Sequence, residues 1–102
     1  MATKTNKAPD REHERKELLR ELKTENGPNW SEQYKPGSYG CHELMDRALM
    51  MAEMVEEHVL SHPACALDRE WYALADKAAT ALHELYQRIG AKHLEQTESE
   101  AS

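Results

Sequence analysis

His58 and His62 stand one helical turn apart, with Cys65 three residues further on, and this is the most metal-like spacing in the chain. Two imidazoles at i and i+4 share a helix face and can hold zinc, to which a thiolate adds a third ligand. The plainer account is electrostatic, because a histidine near a helix C-terminus interacts favourably with the exposed carbonyl end. The pair also lacks the intervening Glu of HExxH. We expect no metal and no other cofactor. His42 and Asp46 repeat the i,i+4 spacing at the other end of the same stretch. Ser38, Cys41 and His42 are close in sequence, but near neighbours on a helix point in different directions, so no nucleophile–base pair follows. Repeated Glu-x-x-His steps of a di-metal bundle are missing. We expect a protein that is not an enzyme.

A second candidate lies in the Gly- and Pro-rich loop from Asn26 to Gly40. Backbone N–H groups at a helix start attract anions, and the Gly37-Ser38-Tyr39-Gly40 turn would leave them accessible. Lys35 and Arg47 can add positive charge, while Trp30, Tyr34 and Tyr39 offer flat faces for a base. Lys35, Ser38, Tyr39, Gly40 and Arg47 are therefore the candidate ligand contacts. The GxxxxGK[ST] pattern of a P-loop is not present, and Glu43 and Asp46 follow closely enough to satisfy the helix dipole themselves. The competing account is a connector whose aromatics cover the helices.

Three helical stretches must position these groups. From Asp10 to about Glu25 the chain is almost wholly charged, with Leu18, Leu19 and Leu22 as its apolar anchors and Asp10 as its cap. Residues 41–61 carry Leu44, Ala48, Met51, Ala52, Val55 and Val59 at helical spacing. Residues 69–89 carry Trp71, Leu74, Ala75, Ala78, Leu82, Leu85 and Ile89. Ser38 and Asp68 are the expected caps of these two helices. Pro63 turns the chain between them, and Gly90 is the expected left-handed terminator of the last. Trp71 reads as a core anchor near the turn. Residues 1–9 are expected to be disordered, as is the acidic tail 95–102.

The two long helices make an antiparallel hairpin, and its apolar stripes are too wide for one inner seam. The remainder needs a partner, most simply another copy of the chain. Met45, Met50, Met51 and Met54 surround the first long helix rather than line one edge, which suits burial between subunits. The expected fold is thus all-α: a hairpin plus a charged N-terminal helix, assembled as a homo-oligomeric bundle.

Composition narrows the partners. The net charge is −6 over 102 residues, and residues 40–94 carry 5 basic against 9 acidic groups. Without a basic stripe, a duplex nucleic acid reader and an anionic-membrane binder are both disfavoured. No stretch approaches the ~18–20 apolar residues of a membrane span, and the polar start Met1–Lys7 is no secretory signal. Cys41 and Cys65 would be held about 30 Å apart by the helix between them, too far to bridge within one hairpin. Reduced thiols in the cytoplasm are the expectation.

The hairpin resembles that of small phage anti-defence sponge proteins, which sequester cyclic nucleotide immune signals. The likeness lies in a long helix, a tight turn, then Asp68-Arg69-Glu70-Trp71-Tyr72-Ala73-Leu74-Ala75 opening a helix that continues through Ala81-Leu82 to Tyr86 and Ile89. It covers residues 41–94. The resemblance implies a helical homo-oligomer that binds a small anionic nucleotide between subunits without cleaving it. The Asn26–Gly40 loop departs from that pattern. The alternative is a small protein–protein adaptor or inhibitor acting through an apolar helix face.

Overall fold

A computed structural model describes residues 10–101, with side chains through residue 96. The expected disorder of residues 1–9 lies outside the described residues, as does Ser102. The described residues are helical with no strand, in the order α1 (Arg11–Asn26), a 3-10 turn (Trp30–Gln33), α2 (Tyr39–Val55), a π turn (Glu56–Leu60), α3 (Pro63–Leu67) and α4 (Arg69–Ala101). The described residues divide into two compact units, one ending at Glu32 and the other beginning at Gln33.

The first unit is built on α1. Asp10 caps it by accepting the His13 N–H at 3.1 Å, which satisfies one of the unpaired donors of the first turn. Glu12 takes two hydrogen bonds from Arg15, at 2.7 and 2.9 Å. This bidentate fork one turn on prevails over the Glu12–Lys16 spacing equally available in sequence. Those hydrogen bonds, with the guanidinium charge added, hold the Glu12 carboxyl below its ordinary value. Gly27, with φ of 94°, ends the helix by donating its N–H to the Lys23 carbonyl. No α1 residue is buried.

The second unit is the expected hairpin. Gly37 meets His93, a side chain at Gly90 would meet Met45, and Glu56 meets His83. Numbers rise along one helix as they fall along the other, so α2 and α4 run antiparallel. The α2 seam is Cys41, Met45, Ala48, Ala52 and Val55; the α4 seam is Ala75, Ala79, Leu82, Tyr86, Ile89 and His93. Both alternate steps of four and three residues, the spacing of a coiled-coil seam. Cys41, Ala48, Ala52, Ala79 and His93 are buried, and the small side chains among them let the backbones approach closely.

Several expected core positions lie elsewhere. Leu44, Met51 and Val59 on the first arm of the hairpin, and Trp71, Leu74 and Leu85 on the second, are exposed. Trp71 is 56% exposed and is no core anchor. The physical reason is that each wide stripe is two adjacent narrow ones. A two-helix unit closes on one of them only.

The helix boundaries also depart from expectation in three places. Past Val55 the backbone widens into a π turn, and the Ser61 hydroxyl then donates to the Glu57 carbonyl. The segment expected as a bare turn winds into α3, with Pro63 at its start, where a missing N–H costs nothing. His62 Nδ1 caps it by accepting the Ala64 N–H at 3.0 Å. Finally, α4 does not stop at Gly90. It continues to Ala101, through residues 95–101 of the tail expected to be mobile. Gly90 takes no positive φ, and the following Ala91-Lys92-His93-Leu94-Glu95-Gln96 has good helix formers at most positions. Buried His93 ties this extension to the hairpin.

Candidate functional site

The loop before α2 is built from local hydrogen bonds. Gly37 adopts φ of 92°, a left-handed conformation that favours glycine. Its N–H donates to His93 Nδ1 at 3.0 Å, linking loop to α4 across 56 residues. Ser38 donates its N–H to the Lys35 carbonyl at 3.0 Å and accepts the Cys41 N–H on its hydroxyl at 3.2 Å. That hydroxyl is therefore occupied as a helix cap. Gly40 is required sterically, since a side chain there would overlap the Tyr34 ring and the Gln33 carbonyl oxygen.

Two shallow hollows flank the start of α2. One, of ≈ 380 Å³, is lined by Gln33, Tyr34, Ser38, Tyr39, Gly40 and Glu43. The other, of ≈ 330 Å³, is lined by Tyr39, His42, Glu43, Asp46, Arg47 and Met50. Of the five candidate contacts, Ser38, Tyr39 and Gly40 line the first hollow, and Tyr39 and Arg47 line the second. Lys35 lines neither.

The charges around these hollows are already matched. Arg47 pairs with Glu43 at 3.1 Å, and Asp46 faces His42 at 3.3 Å. A phosphate entering here would meet two carboxylates beside one guanidinium. The His42 and His93 rings lie 5.4 Å apart, tilted by 41°.

At the far end of α2 the metal-like spacing takes a different form. The His62 ring nitrogen is engaged in the α3 cap, Cys65 is buried and His58 is exposed. Among the described residues, no three His, Cys, Asp or Glu side chains come together in a way that could hold a metal. Cys41 and Cys65 are both free. No helix among the described residues is long and apolar enough to cross a membrane.

The largest chemical asymmetry is on the flanks of the hairpin. Positions one residue before each seam residue form one side, and positions one residue after form the other. The first side carries Gly40, Leu44, Arg47, Met51 and Met54 on α2, and Leu74, Ala78, Ala81, Leu85, Arg88 and Lys92 on α4, with Trp71 on the same helix face three residues before Leu74. No acidic residue falls on it. The second side carries His42, Asp46, Leu49, Glu53 and Glu56 against Asp76, Thr80, His83, Gln87, Gly90 and Leu94, so it is mostly polar. There His83 pairs with Glu56 at 3.1 Å. On the apolar flank Leu44, Met51, Met54, Trp71, Leu74 and Leu85 are each between 44% and 58% exposed. A further hollow of ≈ 570 Å³, lined by Ala66, Leu67, Arg69 and Tyr72, lies at the turn end of the hairpin.

Sequence reasoning found the surplus of apolar surface but not the partition that sorts it. The 4–3 alternation of the seam was the available signal. His93 carried no signal, because its partner is a backbone N–H distant in sequence. No family model, curated protein or solved structure matches this chain.

Proposed function

We propose that this chain is a non-enzymatic helical binding module, an adaptor or inhibitor that engages protein by laying its apolar flank against another helix. The observation that carries this reading is the run of half-exposed Leu, Met and Trp side chains along one side of the hairpin. Such surface is costly to leave in water and marks contact sites when it is contiguous. Helix-on-helix recognition uses anchors at this spacing. Methionines at positions 51 and 54 adapt their shape to a partner, and a half-exposed Trp is a common interface anchor. The buried free thiols fit work in the reducing cytoplasm.

The test is binding of a fluorescent apolar dye to the dilute purified chain. The wild type gains dye fluorescence, and a Leu74→Glu/Leu85→Glu variant with unchanged helicity loses it. Dye binding that ignores both substitutions would overturn the reading.

A second reading, sequestration of a small anionic nucleotide, rests on Tyr39. It is 79% exposed at the rim shared by both hollows, with Arg47 on the same wall. The matched carboxylates weigh against it. Native mass spectrometry with a panel of cyclic nucleotides decides: stoichiometric added mass, reduced by Arg47→Glu, supports it, and no added mass removes it.

A further inference from the structure

We infer that the occupant of the apolar flank is a second copy of this chain, packed antiparallel about a two-fold axis between Ala78 and Ala81. The inference rests on the flank being a protein-binding surface, and it names the partner. In the α4 row Trp71, Leu74, Ala78, Ala81, Leu85 and Arg88 the inner four residues are matched in kind about the midpoint, and the outer two are complementary. When a second α4 is laid across it in the opposite direction, Ala78 meets Ala81, Leu74 meets Leu85, and Trp71 meets Arg88.

Each of these meetings is chemically favourable. Small residues at the centre let the two helices approach closely. Leucines on either side fill the space as the crossing opens. At each end a guanidinium lies over an indole face, a cation–π arrangement. Arg88 is mostly exposed and pairs with Glu84 at 3.0 Å on the surface, so it can turn toward that face. By the same two-fold relation Arg88 comes opposite Trp71, one residue from Glu70, and Lys92 comes opposite Leu67. A parallel arrangement would instead stack Arg88 on Arg88. An isologous pairing of this kind is closed and needs one patch only.

Under this register the two α4 helices overlap from Arg69 to Gly90, about 32 Å at 1.5 Å per residue. One helix width of about 10 Å then gives roughly 320 Å² per copy from α4 alone, a contact smaller than the ~800 Å² per partner of a standard interface. On α2, which lies level with the C-terminal half of α4 (Met45 beside Gly90, Glu56 beside His83), Met51 and Met54 extend that area on one side.

Cysteine cross-linking tests the register in the full chain, with Cys41→Ala and Cys65→Ala as background. Leu74→Cys and Leu85→Cys chains are mixed, one of them isotopically labelled, and oxidised. The expected product is a disulfide joining labelled to unlabelled chain, with little from either variant alone. In the antiparallel dimer like positions are offset by about 16 Å along α4, beyond disulfide reach. Self-linking of each variant alone would overturn the antiparallel pairing. A chain that stays monomeric and binds the apolar dye at high concentration would overturn self-pairing, yet leave the flank as a surface for a different protein. A monomer that binds no dye would overturn both.

Discussion

The His93 ring and the Gly37 N–H decide how the loop before α2 is held. The ring nitrogen accepts that N–H at 3.0 Å while the side chain is 6% exposed, so water cannot readily replace it. Replacing His93 by Ala leaves the Gly37 donor without this acceptor, at a cost of about 1–3 kcal/mol. We expect a matching fall in unfolding free energy by urea titration, with His93→Gln recovering part of it through its side-chain carbonyl. Equal losses in the two variants would show that ring packing, rather than the hydrogen bond, is what matters. The neighbouring Arg47–Glu43 pair is exposed on both sides and contributes little to stability. Its relevance is chemical, because it occupies the guanidinium that an anion would need.

Element boundaries show which parts of the fold are legible in sequence. Ser38 and Asp68 cap as expected, since capping depends on one side chain and the next few backbone N–H groups. Asp68 accepts from Glu70 and Trp71 at 2.9 and 3.1 Å. Gly90 was not legible in the same way. A glycine ends a helix only if the chain beyond it gains by leaving, and here His93 holds the continuation against the hairpin. Because Gly90 lies inside α4, a Gly90→Ala substitution should stabilise the protein by about 0.5–1 kcal/mol. The added methyl would meet the Met45 sulfur at 3.4 Å, an ordinary contact distance. A lower melting temperature for Gly90→Ala would contradict the continuous helix. The π turn at Glu56–Leu60 left no sequence signal either, since one extra residue per turn depends on packing against α4 rather than on residue type. The candidate ligand site was half legible. Local spacing brings Ser38, Tyr39, Gly40 and Arg47 to one end of α2, but the acidic neighbours that oppose an anion became decisive only with the geometry.

At the scale of the whole molecule, the hairpin is a two-stranded seam with a second, uncovered stripe beside it. The fully buried seam positions are Cys41, Ala48, Ala52, Ala79 and His93, whereas Leu44, Met51, Met54, Trp71, Leu74 and Leu85 lie outside the seam and are exposed. A hairpin with that distribution gains more from covering its flank than from improving its seam, since burying a large apolar side chain is worth about 1.5–3 kcal/mol. Association would supply that burial, and the central Ala78 and Ala81 are where it is most easily disrupted. A carboxylate at position 81 would be placed in the middle of an apolar contact without a partner. The most direct measurement is therefore the solution mass of the intact chain by light scattering after size exclusion, beside an Ala81→Glu variant of equal helicity. The account predicts twice the chain mass of 11.7 kDa for the wild type and a single chain mass for Ala81→Glu. A wild type at single mass, or a dimer indifferent to Ala81→Glu, would contradict it.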